Sequence, residues 1–225
     1  MTTNNIVTEL FLATNFAAKS GITPGSDNII GMDCNQITAR YNVSISGISA
    51  TGVRLPGKNQ IAGICPAIGD SYNGGIVAYI FQSGDNGYVS GECHGIIAAP
   101  TDTYISVPWG AEGLAVSTSF DLKTAEANSA NIISLNGDGY YAAKLLYDLT
   151  LNGFSDWLLP SYNDLVKLYL NRSAIGYFTN TATYWSSSEY GQNHGAGIKF
   201  DAYVAGSIYG FPKTFLCRAR AIRYF

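Results

Sequence analysis

Short apolar runs separated by glycine-rich segments dominate the carboxyl-terminal two thirds of this chain. Gly74 to Gln82 (GGIVAYIFQ) and Gly95 to Ala99 (GIIAA) have the length and apolar content of buried strands. Three further strand-like segments follow, from Tyr184 to Ser188, from Ile198 to Tyr203 and from Leu216 to Tyr224. Turn residues stand between them, as between antiparallel strands. The pattern therefore predicts an irregular set of antiparallel sheets.

The spacing of apolar residues changes between these runs and predicts a helix from Tyr140 to Leu151 (YYAAKLLYDLTL). One helical face would carry its apolar side chains, which are Ala142, Leu145, Leu146 and Leu149. Gly153 follows at a distance that suits a glycine ending a helix.

A second helix is predicted after Pro160. Ser161 is a good N-cap residue, and Asp164 three positions later completes a capping pattern. The helices do not alternate regularly with the strands. The expected class is therefore α+β, with two helices inside irregular antiparallel sheets.

The first part of the chain differs from the rest and is interrupted by glycine, proline and asparagine. A boundary is expected near Pro66 to Asp70 (PAIGD). We therefore predict a small attachment or oligomerisation module over residues 1–66, and a larger recognition domain over residues 67–225. A module of that size buries little surface alone. It would pack on a partner, on a second copy or on the larger domain.

Composition favours a protein with a polar but weakly charged surface. Charged residues make up 13% of the chain, whereas glycine numbers 25 and tyrosine 16. Tyrosine, serine, glycine and asparagine are the residues that recognition surfaces use. The net charge of −3 offers no basic face for nucleic acid. We expect a chain made in the cytoplasm without a signal peptide and without membrane insertion, because no basic-apolar leader or spanning-length apolar run is visible.

The four cysteines, Cys34, Cys65, Cys93 and Cys217, are widely spaced and form no C-x-x-C pair. A zinc site is not expected from this spacing. Two disulfides are possible, but spacing alone cannot establish them. The favoured expectation is free buried thiols in a protein that folds in the reducing cytoplasm.

Several separated blocks resemble a known family when they are taken in order. They are Gly69-Asp70 with Gly74-Gly75-Ile76-Val77, His94 to Pro100 (HGIIAAP), Gly153 to Ser161 (GFSDWLLPS), Tyr184 to Glu189 (YWSSSE) and Arg218 to Arg223 (RARAIR). Over about residues 69–225 the chain resembles the lectin-like domain at the carboxyl terminus of bacterial collagen-like adhesins and of phage and Bacteroidota surface proteins. That family is related to the C-type-lectin-like fold of formylglycine-generating enzymes and of phage receptor-binding proteins diversified by retroelements.

The resemblance implies a C-type-lectin-like scaffold whose core is anchored by aromatic residues matching Trp157 and Trp185. It also implies binding of cell-surface glycans or proteins, often by trimers, through loops between the Trp-Ser-Ser-Ser block and the last strand. Cys217 departs from the family, in which an aliphatic residue is usual there.

The main candidate for ligand binding is the segment from Glu189 to Lys213. It mixes aromatic faces with amides, an imidazole and charged groups, which suit the apolar faces and hydroxyls of sugars. The candidate residues are Tyr190, Gln192, Asn193, His194, Lys199, Asp201, Tyr203 and Tyr209. Lys199, Asp201 and Tyr203 share strand parity and would project on one face. The alternative is an ordinary polar hairpin surface. In relatives that are diversified by retroelements, adenine-rich codons yield many Asn and Tyr residues at such positions. A protein sequence alone cannot show whether such diversification occurred here.

Arginines near the carboxyl end could bind an anion or could stabilise the fold. Arg218 and Arg220 share a face of the last strand, and Arg223 lies on the other. We favour the structural alternative, in which the arginines pair with carboxylates or carbonyls. Arg218 and Arg220 would then anchor the carboxyl terminus in the fold. Natural carboxylate partners are Glu189, Asp156 and Asp164.

Cofactor and enzyme chemistry find little support in the sequence. Calcium stays a minor alternative, because Asp85-Asn86 and Asn136-Gly137-Asp138 place oxygen ligands in turns. The oxidase branch of the fold needs two neighbouring thiols, and Cys217 has no close partner in sequence. No G-x-S-x-G motif occurs. We therefore expect no metal ligands and no catalytic residues.

These observations favour a non-enzymatic protein that binds a receptor or glycan, as a component of a phage fibre, tail or capsid surface. Residues 1–66 would attach it to virion or fibre proteins, and it would act as a homo-oligomer such as a trimer on the virion or outside the cell. One alternative is a structural or decoration protein of a phage particle that mainly packs against its neighbours. A remote alternative is a degenerate oxidase-like relative.

Overall fold

The computed structural model describes residues 65–201 and 208–225. The chain divides into two compact units, Met1–Ile64 and Cys65–Phe225. Everything below concerns the second unit. The predictions for the amino-terminal module, and for Tyr203 and Cys34, lie outside the described residues.

The unit is a mixed α+β structure, as the sequence predicts, with four helices and nine strands in its described part. The strands are β1 (Ser71–Tyr72), β2 (Gly75–Ile80), β3 (Gly95–Ala98), β4 (Tyr104–Val107), β5 (Thr183–Gly191), β6 (His194–Lys199), β7 (Tyr209–Pro212), β8 (Cys217–Ala219) and β9 (Ile222–Tyr224). The helices are α1 (Ala125–Asn136), α2 (Ala142–Tyr147), α3 (Tyr162–Leu170) and α4 (Arg172–Ile175).

The strands form two sheets, one with the order β1-β2-β3-β9 and the other β4-β8-β5-β6-β7. Almost all pairs are antiparallel, whereas β5 and β8 are parallel neighbours at Tyr184 and Arg218. The predicted last strand is divided into β8 and β9, so the carboxyl terminus contributes to both sheets. Register shifts in the β5–β6 pair indicate bulges, which bend the hairpin.

Two buried clusters form the core, and neighbouring residues of one strand contribute to different clusters. Ile96 and Tyr184 belong to the cluster beneath α3, whereas Ile97 and Trp185 belong to the cluster that includes α2. This is the outcome expected when successive side chains of a strand point to opposite faces. Both faces of the central strands are therefore covered, which explains their nearly continuous apolar sequences.

The helices differ from the prediction in number and in length. Only Ala142–Tyr147 of the helix predicted from Tyr140 to Leu151 is helical, and Gly153 lies in the following turn with a φ of 83°. The capping box of α3 is confirmed, since Ser161 accepts from the Asp164 amide and Asp164 accepts from the Ser161 amide. Helix α1 was not predicted, because it buries the polar residues Asn128 and Ser129 beside its apolar ones.

The cysteine prediction is wrong for two residues. Cys65 and Cys93 form a disulfide with Cα atoms 5.5 Å apart. It joins the first residue of the unit to the loop before β3. Sequence spacing carries no signal for such a pair, since the chain must fold to bring the two thiols together. Cys217 is a free, buried thiol.

No helix in residues 65–201 and 208–225 is both long and apolar enough to cross a bilayer.

Candidate functional site

The turn between β5 and β6 is exposed but firmly connected to a neighbouring loop. The Gln192 side-chain amide donates to the Gly113 carbonyl at 2.7 Å, and the Gly113 amide donates to the Asn193 side-chain oxygen at 2.9 Å. Both candidate residues are exposed to solvent. Two hydrogen bonds to one distant glycine limit the freedom of the turn, so its polar groups are presented in a defined geometry.

A buried ion pair beneath this turn holds the same loop. The Lys213 side chain is fully buried and contacts the Glu189 carboxylate at 2.5 Å and the Leu114 carbonyl at 2.6 Å. Its ammonium also lies 4.7 Å from the Trp109 ring centre. A buried ammonium needs such partners, because desolvation of an unpaired charge is costly. Lys213 therefore fixes the loop from Trp109 to Leu114 against the β5–β6 hairpin.

Tyr190 is the exposed aromatic residue of this surface, with 56% of its surface accessible. A Cβ atom on Gly210 would stand 2.2 Å from the Tyr190 ring, so the ring rests directly on this glycine. Because β6 lies between β5 and β7, the ring crosses β6, where the residues are small. The β6 residue paired with Gly210 is Ala196, whose small side chain leaves room for the ring.

The other candidates are divided between the faces of the sheet and between the ends of β6. His194 is exposed and shares the face of Ala196 and Gly210, where Tyr190 lies. Tyr209 is half-buried and precedes Gly210, so it points to the opposite face.

Lys199 is the last residue of β6, at the opposite end from His194, and Asp201 follows it. Their charged groups approach each other at 3.5 Å. The structure therefore brings together Tyr190, Gln192, Asn193 and His194, but it does not bring Lys199, Asp201 or Tyr209 to the same patch.

The arginines near the carboxyl terminus are engaged within the fold. Arg218 and Arg220 both contact Asp102, at 2.9 Å and 3.2 Å. Arg223 forms two hydrogen bonds with Asp156, each of 2.8 Å. Asp156 was among the expected partners, whereas Asp102 was not.

The other two expected carboxylate partners do not contact these arginines. Glu189 pairs with Lys213. Asp164 accepts hydrogen bonds from the Tyr224 hydroxyl and from the amides of Ser161 and Lys123.

Arg220 is fully buried and donates hydrogen bonds to several backbone carbonyl groups. Its guanidinium donates to the carbonyls of Ala99, Pro100, Gly176 and Tyr177, in addition to Asp102. Burial lowers the pKa of Arg220 and the Asp102 carboxylate opposes this change. The Tyr184 hydroxyl donates to the same carboxylate, and burial raises the pKa of Tyr184 to about 12.

The two tryptophans predicted as anchors are fully buried, as is a third that sequence reasoning missed. The indole nitrogen of Trp185 donates to the Val107 carbonyl, and that of Trp157 to the Leu151 carbonyl. Trp109 donates to the Ser186 carbonyl at 2.7 Å. Trp109 stands between Pro108 and Gly110, in a stretch whose sequence looks irregular.

The three serines after Trp185 are buried, and they connect elements. Ser186 donates to the Ala196 carbonyl, Ser187 to the Pro160 carbonyl and Ser188 to the Ser119 carbonyl. The Trp-Ser-Ser-Ser block is therefore part of the scaffold that carries the exposed turn.

Two of the oxygen atoms proposed for calcium already accept hydrogen bonds from protein groups. A carboxylate oxygen of Asp85 accepts from the Tyr79 hydroxyl and from the Gln82 amide. The Asn136 side-chain oxygen accepts from the Ala111 amide. Within the described ranges, no cluster of three or more His, Cys, Asp or Glu side chains is arranged to hold a metal ion.

Cys217 is the free thiol among the described cysteines. Burial raises its pKa to about 12, so it stays protonated near neutral pH. A protonated, buried thiol is a poor nucleophile.

Comparisons with known proteins give no match. No protein family model matches the chain, and no curated protein matches it. The family resemblance therefore stays a hypothesis that depends on the residues that carry it.

Proposed function

We propose that this chain is a non-enzymatic recognition protein that binds a cell-surface glycan or protein receptor. Its larger unit would be a C-type-lectin-like domain of the family that the sequence resembles. Residues 1–66 would attach it to a virion or fibre, with the protein acting as a homo-oligomer such as a trimer. The observation that carries this proposal is the exposed but braced turn of β5 and β6 beside the Tyr190 ring.

This arrangement suits recognition because it limits the entropy lost on binding. Gln192 and Asn193 are bonded to Gly113, and Lys213 fixes the underlying loop. A surface that is ordered before the ligand arrives has less conformational freedom to lose. The Tyr190 ring provides a flat apolar face for a sugar ring or an apolar side chain.

Two cysteine observations support a binding role outside the reducing cytoplasm. The Cys65–Cys93 disulfide is of the kind that persists in oxidising surroundings, as on a virion or cell surface. The buried, protonated Cys217 favours a structural thiol over the reactive thiol that an oxidase would need.

One observation favours the alternative of a decoration protein that packs against neighbours. Ile105, on the edge strand β4, is 68% exposed, and Leu216, just before the adjoining strand β8, is 65% exposed. Phe215 beside Leu216 is also exposed. Exposed large apolar residues at a sheet edge are typical of surfaces that other proteins cover.

A glycan array probed with the full chain would test the recognition role. We expect specific binding that both Tyr190→Ala and Gly210→Ala weaken. Tyr190→Ala removes the ring, whereas the Cβ added at Gly210 would displace it. Tyr147→Ala is the matched control, since Tyr147 is 50% exposed and lies on α2.

Binding that survives Tyr190→Ala unchanged would contradict the assignment of this surface. Absence of any glycan or receptor binding, together with tight self-association lost on Ile105→Asp, would support the decoration role instead.

A further inference from the structure

An open cleft of about 480 Å³ lies between the end of α3, the short helix α4, the segment before β5 and the end of β6. Its volume is within the range of small-molecule sites. The lining residues that matter for its chemistry are Tyr169, Arg172, Ser173, Tyr177, Asn180 and Asp201. The cleft is thus at the opposite end of β6 from His194 and the braced turn.

Interlocked aromatic rings form the base of this cleft. The ring centres of Phe178 and Phe200 are 4.9 Å apart, and those of Tyr184 and Phe200 are 4.3 Å apart. Tyr169 meets Phe200 edge to face at 5.1 Å. Phe200 and Tyr184 are core residues, so the base is rigid.

Tyr177 has a backbone conformation that its side chain does not favour. Its φ is 58°, in the left-handed region, where a bulky residue is uncommon and glycine or asparagine is preferred. Its surface is 80% exposed, so core packing does not explain a tyrosine at this position. Strained residues of this kind cluster at binding sites, where the surrounding structure maintains them.

The surrounding structure does maintain this conformation. The buried Arg220 donates to the carbonyls of both Gly176 and Tyr177 at 3.2 Å. Two residues on, the Thr179 amide donates to the buried Tyr184 hydroxyl at 2.8 Å. Arg220 and Tyr184 are both bonded to Asp102. The exposed ring of Tyr177 is therefore carried by a turn that the core fixes from below.

Polar groups complete the lining. The Arg172 guanidinium lies 4.1 Å from the Tyr169 ring centre and donates to the Tyr169 carbonyl, which fixes its orientation. Asp201 provides a carboxylate on the side of β6, and Asn180 and Ser173 provide an amide and a hydroxyl. A cleft with one aromatic rim and several polar groups matches a ligand that has one apolar face and many hydroxyls.

We propose that this cleft binds one pyranose ring of a glycan, which stacks on Tyr177 and forms hydrogen bonds with Arg172 and Asp201. The site is separate from the Tyr190 surface and does not depend on it. A chain with both sites could hold two units of one branched or extended glycan.

Saturation-transfer difference NMR on the full chain would test the site. The probes are free glucose, galactose, N-acetylglucosamine and N-acetylneuraminic acid at millimolar concentration. We expect ring protons of at least one sugar to receive saturation. Tyr177→Asn should weaken that binding about tenfold or more, because it removes the stacking ring. Asn tolerates the left-handed conformation, so this variant keeps the turn and the fold.

Two companion variants distinguish this site from the surface proposed above. Tyr190→Ala should keep the part of the sugar signal that Tyr177→Asn removes, and Tyr177→Trp should retain the whole signal. The proposal is overturned if none of the sugars receives saturation, or if Tyr177→Asn, shown to be folded, binds as well as the original chain. If Tyr190→Ala loses the signal and Tyr177→Asn keeps it, the sugar binds at the Tyr190 surface. That result would also overturn the proposed site at Tyr177.

Discussion

Arg220 shows how a side chain that looks suited to ligand binding can instead stabilise the fold. It is fully buried, and its donors are bonded to one carboxylate and to four carbonyls. The planar guanidinium can make several hydrogen bonds at once, which lysine cannot. Arg220 therefore connects the segment after β3, the turn at Gly176 and strand β8.

Replacing Arg220 should destabilise the protein far more than replacing its neighbour. We expect Arg220→Met to lower the free energy of unfolding by about 3 kcal/mol or more, since several buried acceptors would lose their donor. Arg218 contacts the same Asp102 but is partly exposed, so Arg218→Met should cost about 1 kcal/mol. Urea unfolding followed by tryptophan fluorescence measures both. Equal effects of the two variants would show that Arg220 is not the central contact.

The sequence identifies such residues and one of their partners, Asp156, but not Asp102. Arg218, Arg220 and Arg223 were predicted to pair within the fold, and the structure confirms that they do. Asp102 lies 118 positions from Arg220, and no local pattern connects them. The exposed turn residues Gln192 and Asn193 were likewise visible in the sequence, whereas their link to Gly113 depends on the folded chain.

Helix α3 is the element whose boundary the sequence specifies best. Ser161 and Asp164 satisfy each other's backbone amides at its first turn. Both side chains are buried, and Asp164 also accepts from the Tyr224 hydroxyl of β9 at 2.6 Å. The cap thus joins the helix to the strand that ends the chain.

A pair of serine substitutions would separate the capping effect from the effect of burial. Ser161→Ala should lower the free energy of unfolding by about 1–2 kcal/mol, because it leaves the Asp164 amide without its acceptor. Ser129 on α1 is equally buried, but its hydroxyl has no hydrogen-bond partner in the described structure. Ser129→Ala should therefore be neutral or stabilising. Thermal unfolding compares them, and a larger loss for Ser129→Ala would contradict the capping argument.

Other elements were harder to predict because their stability comes from distant contacts. Helix α1 has no apolar stripe, and Asn128 on it bonds to Ser119 and Ser187. Strand β6 begins at His194, four residues before the predicted start at Ile198. Its first half consists of small residues, which pair with β7 and pack closely against Tyr190 and Trp109 on neighbouring segments. Its glycines look like loop residues in the sequence, but they are needed for close packing.

Both ends of the unit of residues 65–225 are attached to the rest of the unit. The last strand, β9, pairs with β3, and the Phe225 amide and carbonyl are both bonded to Gly95. At the other end, the disulfide joins Cys65 to Cys93, two residues before Gly95. Both ends of the unit are therefore fastened to the same short stretch of chain.

This common attachment makes the disulfide important for the stability of the unit. The bond closes a loop over a sequence separation of 28, for which the loss of unfolded-state entropy corresponds to about 3–4 kcal/mol. Reduction with dithiothreitol should lower the urea midpoint accordingly. The double variant Cys65→Ser, Cys93→Ser should have the lower midpoint from the start. Among the described cysteines it leaves no bond for dithiothreitol to break, since Cys217 is not bonded. An unchanged midpoint in the original chain after complete reduction, verified by thiol titration, would mean that hydrogen bonding at Gly95 alone holds the ends.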